Sequence, residues 1–119
     1  MKFIDLKIWE KSHKLTIEIY KLCKKLPNTE TFGIISQIQR SSSSIPANIA
    51  EGFGRKGKKE FIQFLYQAKG SLTETEYFLI LIKDLNYVDN IGIEKLIFEY
   101  EILAKMLNSF ITQLKAKNV

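Results

Sequence analysis

The chain has 119 residues and a formal net charge of +5, with 18 lysines and arginines against 13 aspartates and glutamates. That length suits one domain, spanning 1–119, with a modest core, and the sparse proline (2) and limited glycine (6) argue against disorder. A single cysteine excludes an internal disulfide framework and suits a reducing cytoplasm, no apolar run is long enough to cross a membrane, and the charges of Met1-Lys2-Phe3-Ile4-Asp5 leave no apolar centre for a signal peptide.

The first helix is expected from about Asp5, as N-cap, to Lys24 and Lys25, whose charges suit the negative end of the helix dipole. Ile8, Ser12, Leu15, Ile19, Leu22 and Leu26 alternate by four and three along one face. Trp9, Tyr20 and Cys23 widen that stripe enough for two neighbours. Trp9 is read as packing against a partner helix, Cys23 as a small buried thiol and His13 as a surface or edge residue. Pro27 then ends the helix, and Thr29 or Thr31 can cap the next one.

The second helix carries Ile34, Ile35 and Ile38 into four consecutive serines, Ser41 to Ser44. Serine weakens helix propensity, and its hydroxyl can bond a carbonyl one turn back or let another backbone approach closely. Ile45, Ile49 and Phe53 recur every fourth residue, whereas Pro46 lacks an N–H and disfavours a helical Ile45. Two arrangements fit: one helix bent at Pro46, or a helix that stops and restarts with Ser44 as cap. The unbroken apolar register favours the bent helix.

The next break, Gly52-Phe53-Gly54-Arg55-Lys56-Gly57-Lys58-Lys59-Glu60, combines turn-forming glycines with four cations. It is neither a dinucleotide fingerprint nor a phosphate-binding P-loop, since no strand precedes it and the glycine spacing is wrong. Its cations and the exposed amides of the following helix can nevertheless attract phosphate.

The third helix is expected from about Lys58 to Asp84, roughly 40 Å long at 1.5 Å per residue. Phe61, Leu65, Ala68, Leu72, Thr75, Leu79 and Ile82 form its bundle seam. Gly70, beside Ser71, costs helix propensity, and close approach of another helix would be a reason to keep it. Tyr66, Tyr77, Ile80 and Leu81 exceed what one intramolecular face needs and suggest burial against another subunit. Asn86 to Gly92 make the last connection, with Asn86 ending the third helix and Asp89 or Asn90 capping the fourth. Ile93, Leu96, Tyr100, Leu103, Leu107, Phe110 and Leu114 stripe the fourth helix, and Lys115 to Val119 are expected to fray. Four amphipathic helices joined by short connections make an all-α, antiparallel up-and-down four-helix bundle.

The segment Ser44-Ile45-Pro46-Ala47-Asn48-Ile49-Ala50-Glu51-Gly52-Phe53-Gly54-Arg55 resembles the signature of the bacterial 23S ribosomal RNA intervening-sequence proteins. The likeness continues through Phe64-Leu65-Tyr66-Gln67-Ala68-Lys69-Gly70-Ser71-Leu72-Thr73-Glu74-Thr75-Glu76, and Trp9, Ile19-Tyr20, Leu26-Pro27 and Gln37-Ile38-Gln39-Arg40 fit as well. Ser41 stands where a second basic residue is common, which removes one positive charge. The resemblance implies up-and-down bundles assembled into cyclic homopentamers. It also implies kinship with the accessory variability determinant of diversity-generating retroelements, a similar bundle that binds nucleic acid beside a reverse transcriptase. Ser44, Pro46, Asn48, Glu51, Gly52, Gly70, Ser71 and Glu74 are then structural motif positions. Asn48 and Glu51 are expected to fix helix two against helix three, and Glu51 or Glu74 to pair with Arg55 or Arg40.

The leading functional expectation is a non-enzymatic homo-oligomer with a nucleic-acid or ribonucleoprotein accessory role. Its phosphate contacts, to RNA or DNA, would be Arg40, Arg55, Lys56, Lys58, Lys59 and Lys69. The second is a protein-binding scaffold that uses the apolar excess. Catalysis is disfavoured: the serines have no histidine partner in a recognisable motif, and His13 is the only histidine, so the repeated ligand motif of a di-metal bundle is missing. Glu51, Glu74 and Glu76 would have to share a cleft to act as acid and base. No cofactor, metal or membrane partner is expected.

Overall fold

The computed structural model describes residues 1–117; of the expected frayed tail, Asn118 and Val119 lie outside the described residues. Four helices follow in order: α1 Lys7–Cys23, α2 Ser36–Phe53, α3 Lys58–Asp84 and α4 Asn90–Ala116. Each packs on its chain neighbours and α4 closes back on α1, giving an up-and-down bundle with extents of 49 × 23 × 20 Å. The stripes read from the sequence form one core. Ile49 and Leu107 are 0% exposed and Leu72 is 1% exposed, so segments expected to meet at the centre do so. Burying each such side chain contributes about 1.5–3 kcal/mol before chain entropy opposes it.

α2 runs unbroken through Pro46 rather than stopping and restarting, and Ser44 caps no restart. Pro46 offers no N–H, so the Ser42 carbonyl loses its partner one turn ahead. The Thr16 hydroxyl of α1 faces the gap, its one proton shared between the Ser42 carbonyl at 3.1 Å and the Ser12 carbonyl at 2.8 Å. The serine run behaves as its chemistry suggests. Ser43 and Ser44 donate back to Gln39 and Arg40 carbonyls at 2.8 Å, while Ser41 and Ser42 are fully buried and let α1 and α3 approach. Ser41 and Thr75 hydroxyls lie 2.9 Å apart across the α2–α3 seam, so position 41 faces the interior rather than a phosphate.

Several expected caps and contacts are corrected. Asp5 does not cap α1; its carboxylate accepts the Lys2 N–H within the short turn Phe3–Asp5, and Leu6 takes the cap position. Lys24 and Lys25 lie just past the end of α1. Neither Thr29 nor Thr31 caps α2, because a 3-10 turn Asn28–Glu30 and a π-turn Thr31–Ile35 intervene. The Thr31 hydroxyl donates back to Asn28, and Glu30 instead accepts the Ile34 N–H at 3.3 Å. The other Glu30 oxygen accepts the Tyr87 hydroxyl at 2.7 Å, tying this corner to the α3–α4 turn. That carboxylate favours the protonated phenol and raises the Tyr87 pKa.

Gly70 is not a point of close approach: it is exposed and a Cβ there would meet nothing within 4 Å. Gly52 is the tight glycine, where a Cβ would sit 2.6 Å from Phe64 Cβ and 2.9 Å from Phe61 Cδ1. α3 stops as expected at Asn86, which takes φ 58°. Its N–H bonds Lys83 and that of Tyr87 bonds Ile82, a Schellman closure. Asp89 occupies the α4 cap position without a side-chain bond. At the other end of α4 the helix continues through Lys115 to Ala116 rather than fraying from Lys115.

Candidate nucleic-acid interface

The up-and-down path brings the α2–α3 turn and the C-terminus of α4 to the same end of the bundle. Arg55 and Lys56 lie in that turn, Lys58 and Lys59 open α3, and Lys115 and Lys117 come from the end of α4. The junction is direct: the Lys58 ammonium donates to the Lys117 carbonyl, and Lys115 lies over the Tyr66 ring, 4.9 Å from its centroid. Arg55 sits over Phe64 at 5.0 Å, and its guanidinium also bonds Glu51 at 2.7 Å. Lys56 and Lys59 are exposed and make no ion pair among the described residues. Cations at the N-terminus of α3 reinforce rather than offset its positive dipole end. Aromatic rings beneath cations, with unpaired lysines around them, suit phosphate contacts with nearby bases.

The six residues singled out from the sequence divide. Arg55, Lys56, Lys58 and Lys59 meet at this end. Lys69 follows about 15 Å farther along α3, on the side that carries Tyr66. Arg40 stands apart, about 22 Å along α2 from Arg55, and is already engaged by Glu74 at 2.5 Å and Gln37 at 3.1 Å. Arg40 is a strap between α2 and α3. Lys115 and Lys117 were missed; the signal available was the topology itself, since an antiparallel fourth helix must end where the third begins.

Of the motif residues, the Asn48 amide donates to the Ser44 carbonyl at 2.8 Å and Glu51 pairs with Arg55 four residues on. Neither reaches α3, so the expectation that they fix α2 against α3 is corrected. Arg40–Glu74 and Ser41–Thr75 do that, with Thr75 also bonded to the Ser71 carbonyl at 2.9 Å. Glu51, Glu74 and Glu76 share no cleft. The first two are held by separate arginines, while burial and then the nearby Glu101 charge raise the Glu76 pKa. Cys23 is buried, which raises its thiol pKa; a hydrogen bond from Gln39 opposes this in part. His13 is exposed and stacks on Trp9 at 4.8 Å with a 13° interplanar angle, and Trp9 meets Phe3 edge-on at 5.2 Å. Among the described residues no three His, Cys, Asp or Glu side chains are grouped so as to hold a metal ion, and no helix is long and apolar enough to cross a membrane.

Residues 4–109 match the model of the 23S rRNA-intervening sequence protein family. Among solved structures, a protein of unknown function from the S23 ribosomal protein family of Bacteroides thetaiotaomicron is similar. It shares 32% identity over 87% of this chain and 97% of that one, with a TM-score of 0.81. No match was found among curated proteins.

Proposed function

The chain belongs to the 23S rRNA-intervening sequence protein family, and on that premise we propose that it is a non-enzymatic, cytoplasmic, single-domain accessory protein that holds RNA or DNA by its phosphates. One observation carries the reading: Arg55, Lys56, Lys58 and Lys59 stand beside Lys115 and Lys117 at one end of the bundle, although half the chain separates the two groups. In a homopentamer, which the motif resemblance implies, that end is repeated five times and weak contacts add as avidity. The exposed Tyr77, Ile80 and Phe98, at 56%, 48% and 58%, supply apolar surface for such assembly. The kinship with a retroelement accessory bundle that the family resemblance implies is in keeping with the same role.

The test is equilibrium binding of a labelled single strand to the purified protein, to Lys56→Glu/Lys59→Glu, and to Lys24→Glu/Lys25→Glu at the opposite end. The reading expects the first variant to lose at least tenfold in affinity and the second to resemble the wild type. Equal losses would mean that only net charge matters. A protein-binding scaffold is the second reading, favoured by the same exposed apolar side chains; absence of binding to any strand, with a stable co-purifying protein, selects it.

A further inference from the structure

We propose that the groove between α1 and α2 takes unpaired bases of the strand whose phosphates lie on the basic end. The inference rests on the nucleic-acid reading and gives that site a second, base-contacting part. Trp9, His13, Ile17 and Tyr20 form the α1 wall of the groove, and Ala47 and Ala50 contribute to the α2 wall. Three features fit a planar, apolar, polyanion-borne ligand. First, Trp9 and His13 are already stacked nearly parallel, and His13 is exposed, so the stack is open to one more ring. Tyr20 is 43% exposed and adds a further aromatic surface. Stacking of this kind accepts any base, because each has a π-face. Second, α2 presents small side chains here, which leaves room for a flat ring between the helices.

Third, position along the bundle selects this groove over its counterpart. No carboxylate lines it, and Ala50 lies one turn before the loop that carries Arg55, so it opens toward the basic end. The groove between α1 and α4 also has Leu15, Leu22 and Ile93 in its lining, but there Glu18, Asp89 and Glu99 are balanced by Lys21, Lys25 and Lys95, and with Lys25, Tyr87 and Asp89 in its wall it sits toward the end away from Arg55.

Trp9 is the only tryptophan, so its fluorescence reports on the groove without a label. The probes are an oligothymidylate of about twelve nucleotides, within the usual span of single-strand sites, and an abasic strand of equal length. The expected result is that both strands bind but only the oligothymidylate quenches Trp9. His13→Ala/Tyr20→Ala should weaken the oligothymidylate about fivefold or more and leave the abasic strand unchanged. Because both side chains are exposed the variant should fold, and the wild-type quench stands without it. Binding of both strands with no change in Trp9 emission, and no effect of the variant, overturns the groove assignment and leaves the basic end intact. Binding of neither strand overturns the nucleic-acid reading and this inference with it. Dissociation of an oligomer by His13→Ala/Tyr20→Ala, seen by sedimentation, assigns the groove to a neighbouring copy and also overturns it.

Discussion

Pro46 takes away a backbone donor inside a helix, and the donor that replaces it comes from another helix. Thr16→Val would leave the Ser42 carbonyl buried without that hydroxyl and is expected to cost about 1–2 kcal/mol. Pro46→Ala restores an N–H one turn ahead, so the same Thr16→Val change should cost clearly less in that background. Equal costs in the two backgrounds, measured by urea unfolding, would break the link between the two residues. Tyr100 poses the reverse case. Its ring is fully buried, and its hydroxyl has no partner among the described residues. Burial raises its pKa and keeps it neutral. Tyr100→Phe removes that unpaired hydroxyl and should raise stability by about 1 kcal/mol; a loss of similar size would mean that the hydroxyl is bonded in solution. The apolar spacing of Ile93, Leu103 and Leu107 was legible because one helical period fixes it. The Thr16–Ser42 bond was not, because it depends on how two helices meet at residues 26 apart in the sequence.

Among the elements, the two glycines at motif positions illustrate opposite physics. Gly52 is inside α2 with the Phe61 and Phe64 side chains of α3 within 3 Å of where a Cβ would stand. Gly52→Ala is expected to cost about 1–3 kcal/mol through overpacking. Gly70 sits in the exposed middle of α3 with open space around it, so Gly70→Ala should gain about 0.5–1 kcal/mol from helix propensity. A matched pair of denaturation curves reads both signs, and a stability loss at Gly70 would point to a surface covered by another molecule. The sequence identified both as special but assigned the close approach to the wrong one, because glycine alone does not say which neighbour it faces. α3 begins and ends where its period and the Asn86 stop signal put it. The starts of α1 and α2 were misread because short turns precede them, and there Asp5 and Thr31 bond within their own turns instead of capping the helix.

For the whole molecule, the two ends differ in kind. One end closes through the Glu30–Tyr87 bond, with Lys24 and Lys25 just past the end of α1. The other gathers Arg55, Lys56, Lys58, Lys59, Lys115 and Lys117 around Phe64 and Tyr66. Four of those cations were visible as a run in the sequence, and the last two became part of the site only through the antiparallel path of α4. Arg40 lies outside it because it stands about 22 Å along α2 from Arg55, where it bonds Glu74 of α3. Gathered charge of this kind works by attracting phosphate. Its most direct test is the slope of log affinity against log salt for a single strand, compared between wild type and Lys56→Glu/Lys59→Glu. Counterion release predicts affinity that falls steeply with salt, and a slope shallower by about one for each phosphate-bound lysine removed. Superimposable slopes and affinities for the two proteins would contradict it.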